Sequence, residues 1–259
     1  TRRNERERTR RQLRKKRWSS RKGAASVSKM TTERAAVSKA GKGSPSAITT
    51  AISFLAHFLL LAPVIYIIVL SAESYSIFSW HPICGTIGVG LLMIEGIFCI
   101  SGEAYVSSKL SRKNRVILHW VLQILGFGLT LASVIIVIVL KGNRPHFTSV
   151  HGKLGLAATI LCALMMINGL CTDNSKWFYP RIKPVTMKIV HGVGGMIVMI
   201  VLLASVINGT YTHWWKGGDI GRDLTFASFV IGTGLTMIKP ILGAVSRSRI
   251  MCCKPPSNR

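Results

Sequence analysis

Six apolar runs, at roughly 47–70, 81–106, 116–140, 151–171, 187–208 and 224–245, fill most of this 259-residue chain. Each approaches the ~20 residues that carry an α-helix across a bilayer core. In hydrocarbon the backbone N–H and C=O groups must be satisfied internally, and a helix does this within one segment. The connections between the runs are too short to hold a second folded domain. The expected fold is therefore all-α: a six-helix transmembrane bundle over 47–246, between tails at 1–46 and 247–259. Consecutive spans run in opposite directions.

The formal net charge is +25, and much of it precedes the first run. Arg2, Arg3, Arg10, Arg11 and the block Arg14, Lys15, Lys16 and Arg17 face only Glu5 and Glu7 in that stretch. A run of like charge without an apolar face is expected to be a disordered tail. The chain starts at Thr1, and Met30 opens a stretch of ordinary composition. Two readings of residues 1–29 stand side by side: a solvated basic tail of the protein, or a segment that is not native to it. These residues are assigned no function, and no nucleic-acid partner is expected.

Lys/Arg asymmetry sets orientation. Basic residues collect in the N-terminal tail (Arg34, Lys39, Lys42), the second connection (Lys109, Arg112, Lys113, Arg115), the fourth (Lys176, Arg181, Lys183, Lys188) and the C-terminal tail (Arg247, Arg249). The odd connections are poorer. Both termini are therefore expected on the cytoplasmic side of a multi-pass membrane protein. No cleavable signal peptide is expected, because the first run follows a long tail and has full span length. The chain has no C-x-x-C-H, which argues against covalently attached haem. Its cysteines at 84, 99, 162 and 171 fall within spans, where they serve as small apolar residues.

Four histidines, His81, His119, His151 and His191, open four successive spans. Alternating direction places His81 and His151 near one face and His119 and His191 near the other. Each is expected in the first turn of its helix, where the dipole disfavours imidazolium and favours the neutral, metal-binding ring. Glycine follows three of them at i+4, as Gly85, Gly155 and Gly195; His119 has Gln123 instead. Position i+4 lies on the same face one turn deeper, where a flat macrocycle would need room. Small residues at this spacing also let membrane helices approach closely. Spacing alone leaves both readings standing. An ionisable side chain inside a span nonetheless points to function.

The other polar residues in or near the spans read more plainly. His57 is expected to make a buried hydrogen bond, and Glu95 to be hydrogen-bonded within the membrane. His146 and His213 lie in connections, with His146 the better candidate for an acceptor site. Lys153, two residues after His151, is placed to meet a propionate or to snorkel.

An ordered series of motifs carries a resemblance: Phe78-Ser79-Trp80-His81-Pro82, Met93-Ile94-Glu95, Leu110-Ser111-Arg112-Lys113 leading into His119-Trp120-Val121-Leu122-Gln123, His151-Gly152 and Lys188-Ile189-Val190-His191. Over about residues 47–246 the chain resembles the cytochrome b561 family, in its small two-haem branch. The resemblance implies two non-covalent b-type haems held among helices 2–5. His81 would pair with His151, and His119 with His191, as the parity of the spans also gives. It implies an oxidoreductase that takes electrons from cytoplasmic ascorbate, bound near Arg112, Lys113, Arg115 and Lys188. The electrons would pass to monodehydroascorbate or ferric iron on the far side. An endomembrane location and a possible homodimer follow from the same resemblance. A haem-binding electron carrier or sensor without its own substrate is the alternative. A nucleotide-dependent ferric reductase would need a G-x-G-x-x-G region outside the spans, and this sequence has none.

Overall fold

A computed structural model of the protein describes residues 46–102 and 104–252, with the side chains of 250–252 left aside. The basic run, the first 45 residues and Cys253 lie outside the described residues. Among these, six helices are long and apolar enough to cross a membrane: α1 (Ala47–Glu73), α2 (Ile77–Ser108, a composite), α3 (Arg112–Lys141), α4 (Val150–Asp173), α5 (Pro184–Gly209) and α6 (Gly218–Cys252). The protein is an all-α, multi-pass membrane bundle.

Local chemistry fixes where the helices begin. Ser46, Ser111 and Ser149 cap α1, α3 and α4, accepting from the backbone N–H of Thr49, Asn114 and Gly152 respectively. Pro184 opens α5, where its missing N–H costs nothing. These caps correct one expectation. His81 and His151 do lie in the first helical turn, each second in its α-helical segment. His119 and His191 lie about two turns inside α3 and α5. Those helices start in the charged connections rather than at the apolar boundary. The helix dipole, which fades beyond the first turn, therefore does not act on these two rings.

The helices pack chiefly in pairs: α1 with α6, α2 with α3, and α4 with α5, while α5 also meets α6 and the middle of α2. Leu60, Ile67, Met93, Met199, Leu202 and Phe229 form the centre of the core. Large apolar side chains face outward on every span, among them Phe58, Ile100, Val139, Ile167, Ile200 and Ile231. In water this would be an untenable apolar surface; facing lipid it is solvated.

The middle of α2 departs from regular geometry. Trp80–Gly85 is α-helical, Thr86–Met93 is π-helical, and Ile94–Ser101 returns to α. Glycines let neighbours close on this wider stretch. A Cβ on Gly88 would stand 2.7 Å from the Gly126 carbonyl oxygen, and one on Gly90 would stand 2.8 Å from the Phe229 ring. Nothing in the apolar run announces the π stretch, a feature frequently found at functional sites.

Candidate functional site

Antiparallel packing brings the four histidines together two by two. His81 and His151 face each other with ring centroids 5.8 Å apart and planes at 86°. His119 and His191 do the same at 6.3 Å and 88°. An imidazole nitrogen sits about 2 Å from a first-row metal, so two rings sharing one iron have centroids roughly 6 Å apart. Both pairs stand at that separation. The two layers lie far apart along the bundle: His81 contacts Ser133, whereas His119 contacts Gly96, about 20 Å of helical rise further along α2.

Backbone carbonyls of the packed partner helix orient three of the rings. Nδ1 of His81 donates to the Ser133 oxygen at 2.9 Å, Nδ1 of His119 to Gly96 at 2.8 Å, and Nδ1 of His151 to Ser205 at 3.0 Å. A carbonyl oxygen only accepts, so each Nδ1 carries the proton. Nε2 is left with its lone pair, the tautomer that ligates metal. The fourth ring is positioned by shape. His191 lies against Gly169, where a Cβ would come within 3.0 Å of Cε1. Its Nδ1 is buried without a partner.

The glycines one turn below the histidines differ in their surroundings. At the 81/151 layer, Gly85 and Gly155 line a cavity of ≈ 270 Å³ together with both rings, Ser133 and Ser205. A Cβ on Gly85 would meet the Ser133 hydroxyl at 3.1 Å, and one on Gly155 the Ser205 hydroxyl at 3.3 Å. At the other layer, Gly195 faces open space, with no atom within 4 Å of a built Cβ. Gln123, the exception, has its own task. Its Nε2 donates to the Met93 carbonyl at 3.0 Å, at the end of the π stretch. His119 and Gln123 thus pin α3 to two successive turns of α2. Paired imidazoles at this separation with Nε2 unspent suit bis-histidine ligation of a b-type haem, and the 81/151 pair has a glycine-lined cavity beside it.

The basic candidates divide. Arg112 and Lys113 form the exposed start of α3, and Lys188 is exposed early in α5. Arg115 is half-buried, one turn before His119, with its guanidinium against Gly102 and its Nε unpartnered. Gly102, at a left-handed φ of 76°, has no Cβ to occupy that space. On the opposite side the cavity wall includes His146 and Lys141, not Lys153, which points outward. His57 and Glu95 meet, Nδ1 to Oε1 at 2.6 Å, as their setting in the membrane requires. The carbonyl acceptors on Ser133, Gly96 and Ser205 were missed by sequence reasoning. Two serines buried in apolar runs were the available signal.

A family model described as eukaryotic cytochrome b561 matches residues 80–216, a segment holding all four histidines. This chain belongs to the cytochrome b561 family. It is 31% identical over 181 residues to transmembrane reductase CYB561D2 of Mus musculus, covering 68% of this chain and 79% of that protein. The human protein of that name is 30% identical over the same shares. Probable transmembrane reductase CYB561D1 of Mus musculus is 30% identical over 62% of this chain and 71% of its own length. No solved structure matches the chain. Family membership makes this cytochrome b561 a haem-binding oxidoreductase that moves electrons across a bilayer.

Proposed function

We propose that this cytochrome b561 holds two b-type haems, one between His81 and His151 and one between His119 and His191. Electrons enter from cytoplasmic ascorbate at the 119/191 layer and leave from the 81/151 layer to monodehydroascorbate or ferric iron. The observation that carries this reading is the doubled histidine pair, set at iron-ligating separation near opposite ends of one bundle. The bound haems supply one-electron chemistry; the protein supplies ligands, orientation and charge.

Each residue has a task in this scheme. The Ser133, Gly96 and Ser205 carbonyls hold three imidazoles in the ligating tautomer. The apolar wall around each pair excludes water and disfavours added charge. Arg112, Lys113, Arg115 and Lys188 make the 119/191 end electropositive, which draws an anionic donor to it. Lys/Arg asymmetry supports placing that end and both termini in the cytoplasm, and the resemblance to the small two-haem branch supports an endomembrane location. At the other end, the cavity reaches His146 in the α3–α4 connection, the proposed side for the acceptor.

Purified protein in vesicles of known orientation tests the reading. Pyridine haemochrome analysis should find close to two haems per chain, and ascorbate on the cytoplasmic side should reduce them. A stoichiometry near zero would end the proposal. Haem that ascorbate fails to reduce would leave an electron carrier fed by a different donor.

A further inference from the structure

The last span carries none of the four histidines, yet it sends one charge back into the bundle. In a helix, side chains lean toward the N-terminus. For Arg247, near the C-terminal end of α6, that direction is into the membrane rather than out to water. Gly243, one turn earlier, leaves the path open: the guanidinium lies over it, 3.3 and 3.5 Å from where a Cβ would stand. The same group reaches α5, with Nη2 3.6 Å from the Cβ position of Gly192, the residue after His191. Arg247 Nε is buried and has no hydrogen-bond partner. The ion pairs among the described residues are His57–Glu95 and Arg222–Asp219, so no carboxylate there neutralises it.

A guanidinium drawn inward without a counter-charge is unfavourable. Arg115 presents a second unpartnered Nε one turn from His119. Each histidine of this layer therefore has an arginine with unspent hydrogen-bonding capacity close by. We infer that Arg247 is an anion-binding residue of the 119/191 layer, taking a planar oxyanion of the carboxylate or ene-diolate kind in its fork. This rests on the haem reading above. Two sources share the chemistry: a propionate of the haem in that layer, and the soluble ascorbate anion. Planar forked recognition suits arginine and not lysine.

The test compares Arg247→Gln and Arg247→Lys with Arg249→Gln, which removes an equal charge from an exposed position on the same helix. Haem content and redox titration of the wild-type protein check the underlying reading independently. If the anion is a propionate, both Arg247 variants lower the midpoint potential or the retention of one haem only, before any donor is added. If it is ascorbate, haem content and potentials stay native, while the ascorbate concentration for half-maximal reduction rises roughly tenfold in Arg247→Gln. Arg249→Gln should match wild type in either case. If both Arg247 variants match wild type in haem retention, potential and ascorbate dependence, the inference is overturned while the haem assignment stands.

Discussion

The imidazole of His191 rests on Gly169, its Cε1 3.0 Å from the point a Cβ would occupy. His151 rests on Gly209 in the same way, at 3.2 Å. The α4–α5 pair thus gives each of its two histidines a glycine on the facing helix. An added methyl has no room unless a ring or a helix shifts. Gly169→Ala should therefore disturb the 119/191 haem and spare the other, and Gly209→Ala should do the reverse. Reduced-minus-oxidised spectra of the two variants check this. Loss of the same spectral component in both would contradict the layer assignment.

On the proposed ligation, single alanine substitutions of the four histidines should sort into two classes. His81→Ala and His151→Ala remove one haem, and His119→Ala and His191→Ala remove the other. Haem counting and spectra of the four variants decide it. A component shared by the His81 and His119 variants would show the pairing to be wrong.

Packing of the π stretch predicts a stability difference between two glycines of neighbouring helices. Gly88→Ala would press a methyl onto the Gly126 carbonyl oxygen, only 2.7 Å away. Such overpacking costs about 1–3 kcal/mol. Gly128→Ala meets nothing within 4 Å and gains helix propensity of up to about 1 kcal/mol. Thermal unfolding in detergent should show the first variant clearly less stable and the second unchanged or improved.

The His57–Glu95 contact ties α1 to α2 beside the Gly96 carbonyl that orients His119. Glu95→Leu removes the acceptor and strands the His57 ring nitrogen, which costs about 1–3 kcal/mol. Glu95→Gln keeps an acceptor in place. The leucine variant should melt lower and the glutamine variant close to native. Equal melting of the two would show that the contact contributes nothing to the bundle.

Lys113 and Lys188 are exposed at the entrances to α3 and α5. Lys113→Ala and Lys188→Ala should slow haem reduction by ascorbate in stopped flow and weaken its dependence on salt. Reduction by an uncharged donor should be nearly unaffected. Native rates across a range of ascorbate and salt would assign these lysines to membrane topology alone.

Much of this architecture was legible in the chain itself. Span number follows from the length of apolar runs, because the bilayer imposes a near-fixed thickness on any helix crossing it. Antiparallel alternation then fixes which histidines share a face, so the pairs 81/151 and 119/191 follow from counting. Glycine one turn below three of the histidines was legible because helix periodicity is local; that two of these glycines lie against serine hydroxyls of the facing helix was not.

Tertiary packing decided the rest. Charged and capped residues started α3 and α5 early, which set His119 and His191 deep within their helices. A π stretch in α2, stabilised by close glycine contacts with α3 and α6, altered the rotation of everything after Met93. The carbonyls that hold Nδ1, the glycines that bear two of the rings and the inward turn of Arg247 all lie on facing helices. The sequence set the length, direction and composition of each span. Only interdigitation of side chains across the helix interfaces selected the rotation and register that turned four separated histidines into two facing pairs.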